Sequence, residues 1–260
     1  MKFHVVSDVH GASEDLANAA AGADVFVCLG DLLLYLDYDD PTEGAFAEVF
    51  GADLTADYVA LRTARKFDEA RALTAAAWER MSGGKDPAAR MQRFLPIIDR
   101  QYRELFAALP DSALLTFGNV DVPALAQPHV REGQRVLDGD VVDVGGLKLG
   151  FVGGGLHSPY RTPNELSVED FDAKVHRLGE VDVLCTHIPP AVAELTYDVI
   201  ARRFEVGSDS LLALIEQTQP RYALFGHVHQ PLNSRFRIGR TECLNVGHFR
   251  GNRTPFVLDL

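Results

Sequence analysis

Short apolar runs rich in Val, Leu and Phe recur at 2–6, 25–29, 112–117, 140–144, 147–152, 181–186, 222–225, 234–238, 241–246 and 255–259, with the lengths and residue types of strands. Several are apolar throughout rather than alternating, as strands covered on both faces would be. Between them, 13–21, 167–178 and 208–218 carry helical spacing. Strands and helices in alternation predict an α/β class, and the crowding of strands after residue 135 predicts more than one sheet.

The stretch 36–110 breaks this pattern. From 55 to 82, apolar residues recur three or four apart (Leu61, Ala64, Phe67, Ala70, Leu73, Ala77, Met81) among Arg62, Arg65, Lys66, Asp68 and Glu69. This predicts one amphipathic helix, ended by Ser82-Gly83-Gly84. Asp86 as N-cap and Pro87 in the first turn predict a second helix with Met91, Phe94, Ile98, Leu105 and Leu109 on one face, kinked or divided at Pro96. The reading is a single domain over 1–260 with a helical hairpin inserted at 36–110.

Composition narrows the classes. A chain of 260 residues, 47% apolar, can bury a sizeable core. Its formal charge of −12 disfavours nucleic acid and anionic membranes as partners, because both attract basic surface. An anionic substrate would need a local positive site, such as a metal. No charged-then-apolar leader opens the sequence, and no apolar run approaches the roughly 20 residues that span a bilayer. Cys28, Cys185 and Cys243 are odd in number, far apart and set in apolar runs, which predicts buried thiols in a reducing cytoplasm.

Five stretches fall at the ends of predicted strands, where an α/β sheet gathers its functional side chains. They are Asp8-Val-His10 after 2–6, Gly30-Asp31 after 25–29, Gly118-Asn119 after 112–117, His187 after 181–186, and Gly226-His-Val-His229 after 222–225. Each alone is at home as a turn, a cap or a polar strand end. The last stands out a little, because alternate residues of an extended segment project to one side. Together they bring two Asp, one Asn and four His from five strand ends. Imidazole nitrogens with carboxylate and amide oxygens, and no thiolate, suit Mn²⁺, Fe²⁺, Zn²⁺ or Ni²⁺. Seven ligands exceed what one four-coordinate ion takes, so two metals are implied.

The ordered set D-x-H, G-D, G-N, H and G-H-x-H, from residue 8 to 229, resembles the calcineurin-like metallophosphoesterase superfamily over most of the chain, the helical insert excepted. The resemblance implies a four-layer α/β/β/α sandwich of two mixed sheets with a dinuclear centre at one end. It implies one ion held by Asp8, His10, Asp31 and His229, and another held by Asp31, Asn119, His187 and His227, with Asp31 bridging. The activity it implies is hydrolysis of a small phosphodiester or an activated phosphomonoester by a metal-bridging hydroxide between ions roughly 3.5–4 Å apart. Manganese is foremost among the metals, and Asp31 and Asn119 serve catalysis as well as metal binding.

One position departs from the family's pattern. Many members read Gly-Asn-His-Asp or Gly-Asn-His-Glu at the third motif, the His protonating the leaving oxygen, whereas this chain has Val120 there. General acid catalysis is typically worth about 10²–10⁴ in rate, so the expected substrates have leaving groups that depart readily. Asp121, with no His to orient, is read as the N-cap of a short helix beginning at Val122-Pro123. His157, in Gly153-Gly-Gly-Leu-His-Ser-Pro159, and His248, in Asn245-Val-Gly-His-Phe-Arg-Gly251, are candidate substitute acids. Arg161 and Arg250 are candidate phosphate contacts or solvated charges.

Val120 and the insert also leave room for a non-catalytic metal-binding scaffold of the same fold. A nuclease is disfavoured, because Arg62, Arg65, Lys66, Arg71 and Arg80 of the insert are mixed with acids and form no basic track. The insert follows Gly30-Asp31 directly and is read as a cap selecting substrates, with Tyr35, Asp37 and Tyr38 at its hinge, or as a homo-oligomer surface.

Overall fold

A computed structural model describes residues 1–81 and 83–260. Ser82, expected to help end the first insert helix, lies outside the described residues. The chain forms two compact units, one comprising Met1–Leu32 with Leu105–Leu260 and the other Leu33–Glu104.

The larger unit contains two mixed sheets. In the first, β1 (Lys2–Val6), β2 (Val25–Cys28), β3 (Leu114–Leu115) and β4 (Arg135–Val136) run parallel in that order, and β15 (Phe256–Asp259) lies antiparallel on the free side of β1. The second has the order β13 (Arg235–Ile238), β14 (Thr241–Asn245), β12 (Tyr222–Phe225), β9 (Val183–Thr186), β6 (Leu147–Val152), β5 (Asp140–Val144). Its four inner strands are parallel and its two edges antiparallel. Two short ribbons pair β7 (Gly155–Leu156) with β8 (Glu165–Leu166), and β10 (Tyr197–Asp198) with β11 (Arg203–Phe204).

Alternating side chains of these strands build two cores. Phe3, Val5, Val27 and Leu114 of the first sheet pack against Leu149, Phe151, Val183, Cys185, Leu224 and Leu244 of the second. The residues of opposite parity, Val152, Leu184, Ala223, Phe225 and Cys243, pack against Phe171 and Val175 of α7 (Val168–Leu178), Leu195 of α8 (Ala193–Thr196), and Leu211 and Ile215 of α9 (Asp209–Thr218). Burial on both faces is why these runs are apolar throughout. On the far side of the first sheet, His4 Nδ1 donates to Ala19 O of α1 (Ser13–Ala20) at 2.7 Å. The four layers are the expected α/β/β/α sandwich. Two short helices, α6 (Pro123–Ala126) and α10 (Phe249–Asn252), follow functional loops.

The smaller unit is helical but is not a hairpin. It contains α2 (Gly44–Phe50), α3 (Ala52–Thr63), α4 (Phe67–Arg80) and most of α5 (Pro87–Ala108). The helix expected over 55–82 is two helices. Arg65 sits at φ +59°, Arg65 N–H bonds Arg62 O and Lys66 N–H bonds Leu61 O, the paired bonds of a left-handed C-terminal cap. The three-to-four spacing runs on through Ala64 and Phe67, which hid this break. Pro96 lies inside α5 without dividing it. Rings fill the interior of this unit: Phe46 stacks on Tyr58 (4.4 Å), Phe50 meets Trp78 (4.8 Å) and Tyr35 stacks on Phe94 (5.3 Å). Among the described residues, no helix is long and apolar enough to cross a membrane.

Candidate metal centre

Parallel neighbours end at the same edge of a sheet, so the loops after β1, β2 and β3 emerge side by side, as do those after β9, β12 and β14. The loops are laced together. Asp8 N–H donates to Gly30 O (3.0 Å), and His10 N–H to Asp31 O (2.8 Å). Val120 N–H donates to Asp31 Oδ1 (2.9 Å), and His227 N–H to Asp8 Oδ2 (2.9 Å). His187 Nδ1 lies 2.9 Å from Leu29 O; a carbonyl only accepts, so this nitrogen carries the proton and Nε2 faces the cluster. The Gly118 position has a steric cause, because a Cβ there would lie 2.0 Å from Asp31 Oδ1.

Four of the expected ligands hold left-handed backbone: Asp8 at φ +56°, His10 at +41°, Asp31 at +51° and His227 at +67°. Such conformations cost side-chain-bearing residues of order 1–3 kcal/mol each and persist where surrounding bonds over-determine them. The lacing above supplies those bonds.

Within the cluster, Asn119 Oδ1 lies 2.9 Å from His187 Nε2 and 3.0 Å from His227 Nδ1. Asp31 divides its oxygens, with Oδ1 3.4 Å from His187 Nε2 and Oδ2 3.8 Å from His10 Nε2. Asp8 Oδ1 lies 3.4 Å from His229 Nε2 and 4.0 Å from His10 Nε2. All seven expected ligands are thus joined in one cluster. Asp8 Oδ1 is buried yet accepts no well-formed hydrogen bond among the described residues, so it is an oxygen with capacity for a cation. Solvent reaches the cluster at His229, whose side chain is 40% exposed.

The electrostatics also call for positive charge. Burial pushes the Asp8 and Asp31 carboxyls up, but His229, His187 and His10 around Asp8, and His187 and His10 around Asp31, hold both below the usual carboxylate range. In return, His187 is raised to about 9 and His229 is raised, since the two carboxylates outweigh burial. Burial and the neighbouring His187 charge lower His227. Donor types, convergence and the orphaned Asp8 oxygen all fit divalent metal.

The substitute-acid candidates part company. His248, at the N-terminus of α10, stacks on His229 (3.9 Å, 3°) and lies 5.7 Å from His10, close enough to join those two as a further possible ligand. Burial, followed by the His229 charge, lowers it to about 3. Sequence spacing carries no sign of a ligand role, because only the sheet sets β14 beside β12. His157 is exposed and makes no hydrogen bond or ring contact with the cluster among the described residues; its N–H bonds Leu166 O. Arg161 is exposed, whereas Arg250 Nη1 donates to His10 O at 3.0 Å.

Asp121 does not cap a helix. Val122 occupies the cap position of α6, with no side-chain bond, while the fully buried Asp121 carboxylate accepts Gly118 N–H (2.9 Å) and Leu32 N–H (3.0 Å). Thr162, bonded to Asn119 Nδ2, and Glu165, bonded to Thr162, carry no motif that marks them in the sequence.

No protein-family model matches the chain, and no curated protein matches it. One solved crystal structure superposes with a TM-score of 0.58 at 16% identity, covering 95% of this chain and 91% of the other. A candidate 5′-nucleotidase from Staphylococcus aureus, solved in complex with alpha-ketoglutarate, gives a TM-score of 0.41 at 14% identity, with 95% of this chain spanning 48% of that one. The first of these is a likeness of fold, and the fold is an α/β sandwich of two large mixed sheets.

Proposed function

We propose that the chain is a metal-dependent phosphoesterase that holds two divalent cations and hydrolyses small phosphate esters. The observation that carries this reading is the divided carboxylate of Asp31, with one oxygen directed to His187 and the other to His10. On this reading Asp8, His10, Asp31 and His229 hold one ion, and Asp31, Asn119, His187 and His227 hold the other. Manganese is the first choice, with iron, zinc or nickel also suited to these donors. Bound there, two cations supply Lewis-acid polarisation of a phosphoryl group and activation of water.

The chain's own residues set up the rest. Leu29 O fixes the His187 tautomer, and Val120 N–H fixes Asp31. His248 and Arg250 border the cluster beside His229 and His10. Val120 has no proton to give, so the preferred substrates are phosphodiesters or activated monoesters with stable leaving groups. Of the two substitute-acid candidates, His248 contacts the cluster at His229 and His157 does not, and burial holds His248 largely unprotonated, in keeping with a missing acid.

Hydrolysis of aryl phosphodiesters and monoesters with Mn²⁺ present tests the reading. Metal-dependent turnover of either is expected, and a protein carrying two ions that hydrolyses neither overturns it in favour of a scaffold.

A further inference from the structure

The loop after β6 does not present His157 to the cluster. It turns back to grip Asn119. Gly154 N–H bonds Phe117 O (2.7 Å), and a Cβ at Gly155 would lie 2.8 Å from the Asn119 Cβ, so only glycine allows the approach. Beyond it, Asn164 N–H donates to Asn119 O (2.9 Å) and Asn164 Nδ2 to Gly118 O (2.9 Å), which pins the backbone of the third motif. The side chain is held separately. Asn119 Nδ2 donates to Thr162 Oγ1 (2.9 Å), Thr162 Oγ1 donates to Glu165 Oε1 (2.9 Å), and Ser158 anchors that carboxylate through Oγ (2.5 Å) and N–H (2.9 Å).

The direction of this chain follows from its last member. An ionised carboxylate only accepts, so Thr162 must give its single proton to Glu165 and can only accept from Asn119. The Asn119 group facing Thr162 must then be its NH₂, and Oδ1 is left facing His187 and His227. An amide can bind a cation through its oxygen and not through its NH₂.

We propose that Thr162 and Glu165 are positioning residues which lock the Asn119 amide with its oxygen toward the His187–His227 half of the metal centre. The proposal rests on the two-cation reading above. Removing the partner of a metal ligand typically costs about 10–100-fold in metal affinity.

Calorimetric titration with Mn²⁺ tests it, with the melting temperature of the metal-free protein as a control on folding. Thr162→Val, which cannot accept from Asn119, is expected to weaken one of two sites by about 10–100-fold. Thr162→Ser restores the acceptor and is expected to restore affinity. Glu165→Gln, which can offer an NH₂ to Thr162 and so release the direction, is expected to weaken the same site. Native affinity in a folded Thr162→Val protein overturns the proposal; if that variant does not fold, native affinity in Glu165→Gln does so. A native protein that binds fewer than two ions overturns the two-cation reading itself, and the proposal with it.

Discussion

Asp121 Oδ1 accepts the backbone N–H of Leu32 at 3.0 Å across 89 residues of sequence. With its other oxygen on Gly118 N–H, a single buried carboxylate ties the loop of Asp31 to the loop of Asn119. Asp121→Ala leaves two buried N–H groups without partners and is expected to cost about 2–4 kcal/mol in urea denaturation. Asp121→Asn keeps one acceptor and should cost less. Equal stability of the alanine variant would remove this role.

The ligand assignment predicts that Asp31→Ala and His187→Ala each lower turnover by more than the roughly 10–100-fold seen when a ligand's partner is lost. Elemental analysis should show fewer than two ions in Asp31→Ala, because both halves of the cluster lose an oxygen. A variant that keeps two ions and native turnover rules out a bridging Asp31.

The missing acid predicts a steep fall in rate as the leaving group becomes more basic. Val120→His should flatten that slope and speed the poorest substrates by up to about 10²–10⁴-fold. If the native slope is already shallow, another group donates the proton, and His248→Ala should then steepen it.

Metal affinity should rise with pH through the neutral range. Burial would lower His187, but Asp31 and Asp8 overcome it and hold the imidazole protonated up to about 9. An entering cation must displace that proton, so Mn²⁺ binds more tightly as pH approaches 9 and the gain then levels off. Titration in buffers of different ionisation heat reads the released proton directly, and affinity that stays flat with pH contradicts the displacement.

All three cysteines are buried, and burial lifts the thiols of Cys28 and Cys243 to about 12 and that of Cys185 higher still. Thiolate is the reactive form, so a maleimide should label the native protein far more slowly than the urea-unfolded chain, in which three thiols react. Rapid labelling without denaturant would place a thiol at the surface.

What was legible in the sequence was local. The strand runs and the five ligand stretches are each short, and the parallel order of β1, β2 and β3, and of β9 and β12, turns neighbouring strand ends into one cluster. The misreadings concern partners far apart in sequence. Asp121 looks like a cap because the N–H of Leu32 is 89 residues away, and Thr162 looks like loop because Asn119 is 43 residues away. His157 and His248 are equivalent by sequence, each following a strand in a Gly-rich loop. Strand order separates them: β14 lies beside β12 and delivers His248 to His229, while the loop after β6 is occupied with Asn119. In the insert, continuous apolar spacing concealed a helix end at Arg65, where the chain uses a left-handed arginine instead of a glycine.

Left-handed backbone at Asp8, His10, Asp31 and His227 also limits how heat-resistant this protein can become. On the proposed ligand set these side chains cannot be exchanged for glycine, so the strain at the four positions is fixed for as long as that chemistry is kept. Adaptation to higher temperature has to draw on positions such as Arg65, where the same backbone geometry serves only to end a helix and glycine would relax it by about 1 kcal/mol without touching a ligand.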